Sequence, residues 1–268
     1  MNKIITLGPE FSYSYNLALE YYKKEDIICV QSIEDIFEKV FKNKNYKGLV
    51  PIENMINGSV RESFLSIRKN PVIILRAIDY AIDNIIAANN KKYSKIVSHS
   101  QPLAQCSQFI KNKKGIEIIE VSSTSKAMEM AAKDRNVAAI GNERAAKFYG
   151  VNILQKNISN KMVNVTRFIE ISSKKDKDFL KGKKTSLIIE PFKDKAGILF
   201  EILSVFKIKE INLTKIESIP TGAKMNDYIF YLDIDGSLEE KRVADAIKFL
   251  ETFVKVKVFG SYNIACSK

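Results

Sequence analysis

The sequence predicts an α/β chain in two parts: a larger two-lobed unit of alternating strands and helices, then a small β-α-β-β-α-β unit. Three observations carry this. Short apolar runs alternate with segments of helical spacing through the first two-thirds of the chain. The alternation restarts midway and closes on a late returning strand, 165–171. A Lys-rich stretch short of large apolar groups, 172–184, then leads to a tail with a different rhythm.

Residues 4–7 form an apolar run closed by Gly8-Pro9, with a helix expected over 14–23 and a strand over 27–30. Ser32 and Asp35 have capping-box spacing, and Ile33, Ile36, Phe37, Val40 and Phe41 follow at helical intervals. A buried strand is expected over 48–52, with Pro51 suiting its end. Ser59 and Glu62 then suggest a cap before a helix carrying Val60, Phe64 and Ile67, and 72–75 begins an extended passage. The second series has strands at 95–97, 116–121 and 137–140. Its helices are a stripe of Leu103, Cys106 and Ile110, one opened by Ser122-Ser123-Thr124, and one ended by Gly150. Two series with a returning strand suggest lobes joined by two crossovers, near 78–88 and 160–168; one continuous sheet is the alternative. In the tail, strands are expected at 185–190, 213–219, 228–234 and 254–259. Between them lie a helix with Leu199, Ile202, Leu203 and Phe206 behind an Asp194 cap, a turn at Gly222, and a helix behind a Ser237/Glu240 box. That is the ferredoxin-like split arrangement.

Composition narrows the function classes. An apolar share of 46% with 28% charged residues fits a folded globular chain and excludes a disordered one. Lysine and arginine number 43 against 31 acids, a net charge of +12 that favours an anionic partner of unspecified class. The Lys-rich runs 111–114 and 174–184 read as solvated faces with a single aromatic, Phe179, among them, so no nucleic-acid partner is expected. The most apolar stretch, 78–88, is broken by Asp79, Asp83 and Asn84, and no membrane partner is expected. Cys29, Cys106 and Cys266 are odd in number and widely spaced, which points to a reducing cytoplasm, and the first residues lack the apolar core of a signal peptide. His99 is the single histidine, so a His-rich metal centre is not expected. Neither a G-x-G-x-x-G turn nor a Gly-Lys-Ser/Thr phosphate loop is present, and no cofactor is expected. No G-x-S-x-G elbow accompanies His99, which argues against a Ser-His-Asp hydrolase.

Several expected strand ends lead into hydroxyl-rich turns: Ser12-Tyr13-Ser14, Asn57-Gly58-Ser59, Ser98-His99-Ser100 and Ser122-Ser123-Thr124. In open α/β sheets ligands bind beyond the carboxyl ends of strands, where free helix N–H groups and hydroxyls meet anions. Facing one cleft, these turns would hold a small polyanion such as a dicarboxylate. Singly, each is also what a helix cap requires. His99 reads as a hydrogen-bonded structural residue or a catalytic one, and Cys106 as a core residue.

Four segments match, in order, the motifs of one family. Residues 7–14, LGPEFSYS, are similar to its G-P-x-G-T-[FY]-S opening, and 50–60, VPIENMINGSV, to V-P-I-E-N-S-x-x-G-S-V. Residues 98–106, SHSQPLAQC, resemble S-H-x-Q-A-L-x-Q-C, and 164–168, NVTRF, fit N-x-T-R-F. In the tail, 197–200 and 212–220 are similar to the G-A-L and E-S-R-P stretches of ACT domains. Together these segments resemble the prephenate dehydratases with a C-terminal ACT domain. The resemblance implies a catalytic domain over 1–172, folded like type 2 periplasmic binding proteins. Lobe one would hold about 1–77 plus 165–172 and lobe two about 78–164. A linker over 173–184 and an ACT domain over 185–268 would follow.

The resemblance also implies the reaction: prephenate loses water and carbon dioxide to give phenylpyruvate, on the way to phenylalanine. Thr166 matches the family's essential threonine, which would assist departure of the hydroxyl. Arg167 is a candidate carboxylate clamp or, equally, a salt bridge across the crossover. Ser12, Ser14, Asn54, Gln101, Ser123, Thr124 and Phe168 are the expected substrate-binding residues. Gly197, Ile198, Leu199, Asn212, Leu213, Glu217 and Ser218 are those expected to bind phenylalanine as effector, in a homodimer or tetramer assembled through the tail. An arogenate dehydratase, or a sensor of the same fold without turnover, are the alternatives. Phe11 stands where the family has glycine, Ser12 where it has threonine, Met55 where it has serine, Pro102 where it has alanine, Ala196 where proline is usual, and Ile219 where E-S-R-P has arginine. Phe11 should restrict its turn, Met55 should remove a polar group from the site, and Ile219 should weaken feedback inhibition.

Overall fold

The structure is a computed structural model and describes residues 3–160, 163–173, 179–193, 195–221 and 228–267. Lobe one opens with β1 (Lys3–Leu7), α1 (Tyr13–Tyr21), β2 (Ile27–Val30) and α2 (Ile33–Lys42). The Ser32/Asp35 capping box forms as its spacing predicts, the two side chains satisfying each other's backbone N–H groups. Next come β3 (Tyr46–Asn54), the short β4 (Gly58–Ser59), α3 (Arg61–Lys69) and β5 (Ile73–Ala81). Pro51 does not end β3. The strand continues to Asn54 because its partner's register shifts opposite Pro51, where the missing N–H goes unneeded. Nor does Ser59 cap α3, which starts behind Val60; the Ser59 hydroxyl is engaged across a domain boundary instead.

Lobe two comprises β6 (Ile85–Ala87), β7 (Lys95–Ser98), α4 (Ser100–Gln105), α5 (Ser107–Lys111), β8 (Glu117–Glu120), α6 (Thr124–Lys133), β9 (Val137–Gly141), α7 (Glu143–Tyr149) and β10 (Ile153–Gln155). The chain then returns as β11 (Val165–Ser172). Two separate sheets result, so the single-sheet alternative is excluded: β5-β11-β3-β1-β2 in lobe one and β10-β6-β9-β7-β8 in lobe two. Within each lobe the βα units pair parallel, but β11 runs antiparallel to both β3 and β5, and β6 antiparallel to β9. These exceptions flank the crossovers, where the chain passes directly between lobes instead of looping back through a helix. Because β5 stays in lobe one through Ala81, the first crossover is confined to 82–84, shorter than 78–88.

The tail forms β12 (Lys184–Pro191), α8 (Ile198–Ile208), β13 (Leu213–Pro220), β14 (Tyr228–Asp235), α9 (Lys241–Leu250) and β15 (Val254–Tyr262). Its sheet order, β13-β14-β12-β15, is that of the ferredoxin-like arrangement. The expected Asp194 cap and Gly222 turn lie outside the described residues. Ser237 does not cap α9: its hydroxyl donates to the Leu180 carbonyl, and only the Glu240 half of the box forms.

One face of this sheet packs on α8 and α9 through Leu187, Ile202, Phe206, Leu232 and Leu250. The other face joins lobe one in a shared core, where Ile188, Ile219, Tyr231, Phe259 and Tyr262 meet Phe64, Ile67 and Ile74. Ile219 is 3% exposed there, so an apolar side chain suits its place and a charged one would need a buried partner. The tail is not confined to its own sheet. A last strand, β16 (Ile264–Cys266), leaves the tail sheet and pairs parallel with β5, covering what would otherwise be an open edge of lobe one.

Candidate active site

A cleft of about 460 Å³ lies between the lobes, lined by residues from both. Lobe one supplies Ser12, Tyr13, Ser14, Gln31, Pro51 and Asn54, the returning β11 supplies Thr166 and Phe168, and lobe two supplies His99, Gln101, Gln105, Ser122, Ser123 and Thr124. All seven expected substrate-binding residues and Thr166 therefore share one cavity. The reason is local: β1, β7 and the Ser122–Ser123 turn each deliver a helix N-terminus to the cleft, capped by Ser12, His99 and Ser123. Ser12 accepts from the Tyr15 N–H and donates to the Leu7 carbonyl, and Ser123 accepts from the Lys126 N–H. Their hydroxyls thus build the turns. Among the described residues, the side-chain polar atoms of Ser14, Gln31, Gln101, Ser122 and Thr124 bond no protein group, which leaves them to a ligand.

Arg167 is not in the cleft. Successive strand residues point to opposite faces, so β11 turns Thr166 and Phe168 into the cleft and Arg167 behind the sheet. There its Nε and Nη2 donate to Asp79 on β5 at 2.7 and 2.8 Å, and the paired carboxylate holds the guanidinium above its ordinary range. Met55 likewise lines the rear pocket with Arg167 and is 65% exposed, so it removes no polar group from the cleft.

At the centre is Asn54, 5% exposed. Its Oδ1 accepts from the Ile56 and Asn57 N–H groups, both at 3.0 Å, which fixes the orientation of the amide. Its Nδ2 therefore donates, to Thr166 Oγ1 at 2.9 Å and Asn164 Oδ1 at 2.8 Å. With a lone pair of Thr166 Oγ1 so occupied, the hydroxyl proton is free to point at a ligand. Asn54 and Thr166 are opposite each other in the β3–β11 register, two motifs far apart in sequence brought together by sheet pairing.

The lobes are tied beside the cleft. Tyr13 Oη donates to the Asp83 carbonyl and to Asn84 Oδ1, and burial pushes its phenol well above the usual range. Asn142 Nδ2 donates to the Phe11 carbonyl and Ser125 Oγ to the Glu10 carbonyl. Phe11 does carry backbone strain, at φ 66°, where glycine is at ease. Its ring is what compensates, stacking on Phe148 of lobe two at 4.1 Å and meeting Tyr149 edge-on. Sequence reasoning missed Tyr13, Gln31 and the Asn164 partner of Asn54. Tyr13 and Asn164 lay inside quoted motifs, whereas Gln31 had no signal. Cys106 is core, its thiol pushed up to about 12 by burial. Among the described residues, no cluster of His, Cys, Asp and Glu could hold a metal ion.

Two family models account for the chain, the prephenate dehydratase model over residues 4–176 and the ACT domain model over 193–252. This chain belongs to the prephenate dehydratase family. A prephenate dehydratase of Methanocaldococcus jannaschii is 36% identical, across 98% of this chain and 99% of the relative. A bifunctional chorismate mutase/prephenate dehydratase of Aquifex aeolicus is also 36% identical, across 97% of this chain and 73% of the relative. Among solved structures, a prephenate dehydratase of Arthrobacter aurescens in complex with L-Phe superposes with a TM-score of 0.86 at 28% identity, covering 97% of this chain and 90% of that one. In this chain the two-lobed unit precedes the ACT domain, whose sheet docks on lobe one.

Proposed function

We infer that the chain is a prephenate dehydratase that converts prephenate to phenylpyruvate in phenylalanine biosynthesis, and the observation that carries its mechanism is the Asn54–Thr166 hydrogen bond. Loss of the ring hydroxyl and of carbon dioxide creates an aromatic ring, so the substrate holds the driving force. The protein must place two carboxylates and help hydroxide depart. A threonine hydroxyl is too weak an acid to protonate a leaving group outright. Held by Asn54, it donates a hydrogen bond that strengthens as charge grows on the departing oxygen. Family membership and this polarity support Thr166 in that role.

No described residue lining the cleft is Asp, Glu, Lys or Arg. The substrate carboxylates are then met by the free N–H groups at the starts of α1 and α6 and by the hydroxyls of Ser14, Ser122 and Thr124. An uncharged lining also supports the keto acid prephenate over arogenate, whose ammonium would find no carboxylate there. Incubating the pure chain separately with each substrate tests this, phenylpyruvate being read by its absorbance in alkali and phenylalanine by chromatography. No product above the uncatalysed rate would remove the enzyme reading, and faster turnover of arogenate would reverse the preference.

L-Phenylalanine is proposed as effector of the ACT domain. Gly197, at φ 83°, leads into α8, whose Ile198 shares a core with Leu213, with Asn212 held by Asp235 at 2.8 Å and Leu199 next along the helix. Of the remaining expected residues, Ser218 is exposed, while Glu217 faces lobe one. The unpaired edge of β13 and the exposed Phe200 and Ile216 support pairing with a second copy. Sedimentation with and without phenylalanine, beside calorimetry, tests both; a monomer that binds no phenylalanine would refute them. No helix among the described residues is long and apolar enough to cross a membrane, and three free cysteines support a cytoplasmic setting.

A further inference from the structure

We propose that Lys215, on the ACT sheet, is a positioning residue for the dehydration, acting through the back of the hairpin that carries Asn54. The proposal rests on the function inferred above. Alternate residues of β13 face lobe one, and two of them grip one element. Lys215 Nζ lies 2.7 Å from Glu53 Oε1 and donates to Ser59 Oγ at 2.9 Å, and Ser59 in turn donates to Glu217 Oε2 at 2.7 Å. Glu53 and Ser59 stand directly opposite each other in the β3–β4 hairpin, so a single ammonium holds both strands. The Lys215 side chain is 10% exposed and sits over the Phe64 ring, so its charge needs Glu53.

One residue further along β3 is Asn54. Because strand side chains alternate, Glu53 faces the ACT sheet while Asn54 faces the cleft and holds Thr166. In the β11 register Glu53 pairs with Arg167 and Asn54 with Thr166, so a shift of the hairpin moves the Asn54 amide relative to the Thr166 hydroxyl. Ile219, two residues beyond Glu217, is buried in the shared core and keeps β13 seated. The tail domain thus sets the pose of the hydrogen-bond donor, the Thr166 hydroxyl, without touching substrate. Small displacements of a reacting group cost rate steeply, whereas the carboxylate-binding turns lie on α1 and α6, away from this contact.

The test compares Lys215→Met, which keeps the apolar stem, with Lys215→Arg, Glu53→Gln and Thr166→Val, using prephenate turnover. Lys215→Met should lower kcat about tenfold with KM within about twofold, and Lys215→Arg should restore most of the loss. Glu53→Gln should reproduce the loss, and the double variant with Lys215→Met should be no worse than the poorer single. In a Thr166→Val background, Lys215→Met should cost nothing further. A purely structural role would lower that residual rate by the same factor, and this outcome would overturn the proposal, as would native kcat in Lys215→Met. If Lys215→Met fails to fold, Glu53→Gln with and without Thr166→Val decides in its place. Native turnover with insensitive variants refutes this proposal alone; no native turnover refutes it together with the inferred function.

Discussion

Asn54→Asp reverses one hydrogen bond while keeping the shape of the side chain. In the native chain, Nδ2 donates to Thr166 Oγ1 at 2.9 Å, Asn164 Oδ1 at 2.8 Å and the Val165 carbonyl at 3.3 Å. The introduced carboxylate keeps the acceptor that serves the Ile56 and Asn57 N–H groups, so the turn survives. Its second oxygen, however, confronts three oxygens. Asn164 can rotate its amide to donate, since its Nδ2 has no partner among the described residues. Thr166 can relieve the rest only by turning its proton toward the carboxylate and away from substrate. Losing one well-placed donor of this kind costs about 10²–10³ in kcat, ~2.7–4 kcal/mol. KM should change little. Asn54→Ala releases the hydroxyl without capturing it, so it should keep a higher kcat than Asn54→Asp despite losing more stability. Acidification should partly rescue Asn54→Asp alone, because a protonated carboxyl donates again. Phenylpyruvate formation and thermal melts measure both effects. Native-like kcat in Asn54→Asp, or a lower kcat in Asn54→Ala, would refute the assignment of the hydroxyl's direction.

Thr166→Val keeps the shape and removes the hydroxyl, so kcat should fall about 10²–10³-fold with KM nearly unchanged, in the same assay. Arg167→Met should leave KM within about twofold, since the guanidinium lies behind the sheet. It should cost roughly 1–3 kcal/mol of stability by stranding Asp79, and adding Asp79→Asn should recover much of that in urea melts. Glu170 gives a pH signature. Burial alone would raise its carboxyl, but the Tyr22 hydroxyl and the Arg76 and Lys47 charges outweigh it and hold it below its ordinary 4.5. A depressed folded-state value contributes stability that is present above the unfolded value and lost as pH falls through the folded one. The stability gap between the native chain and Glu170→Gln should therefore narrow on acidification below about 4.5, and a constant gap would remove the ion cluster as its source.

Much of the architecture was readable from local patterns. The strand–helix alternation, the Ser32/Asp35 box, the αL glycine ending α7 and the split β-α-β-β-α-β rhythm are set by neighbouring residues and short-range hydrogen bonds. Much of the cleft was readable because the turns before α1, α4 and α6 are helix starts, and such starts gather at the carboxyl ends of strands, whereas the Asn57-Gly58-Ser59 turn belongs to a hairpin and does not line it. Other features belong to pairings between distant segments. The Asn54–Thr166 bond exists because β11 returns beside β3, and the same pairing sends Arg167 to the rear. Phe11 tolerates its turn only because lobe two brings Phe148 to its ring. Ser59 leaves its expected cap for Glu217, and Ile219 becomes core, once the ACT sheet docks on lobe one. Sequence spacing encodes which face of an element is apolar and where it starts, because those depend on residues a few positions away. Which apolar face meets which, and at what register, is decided only when the whole chain packs, because that contact minimises exposed surface and unpaired polar groups over all segments together.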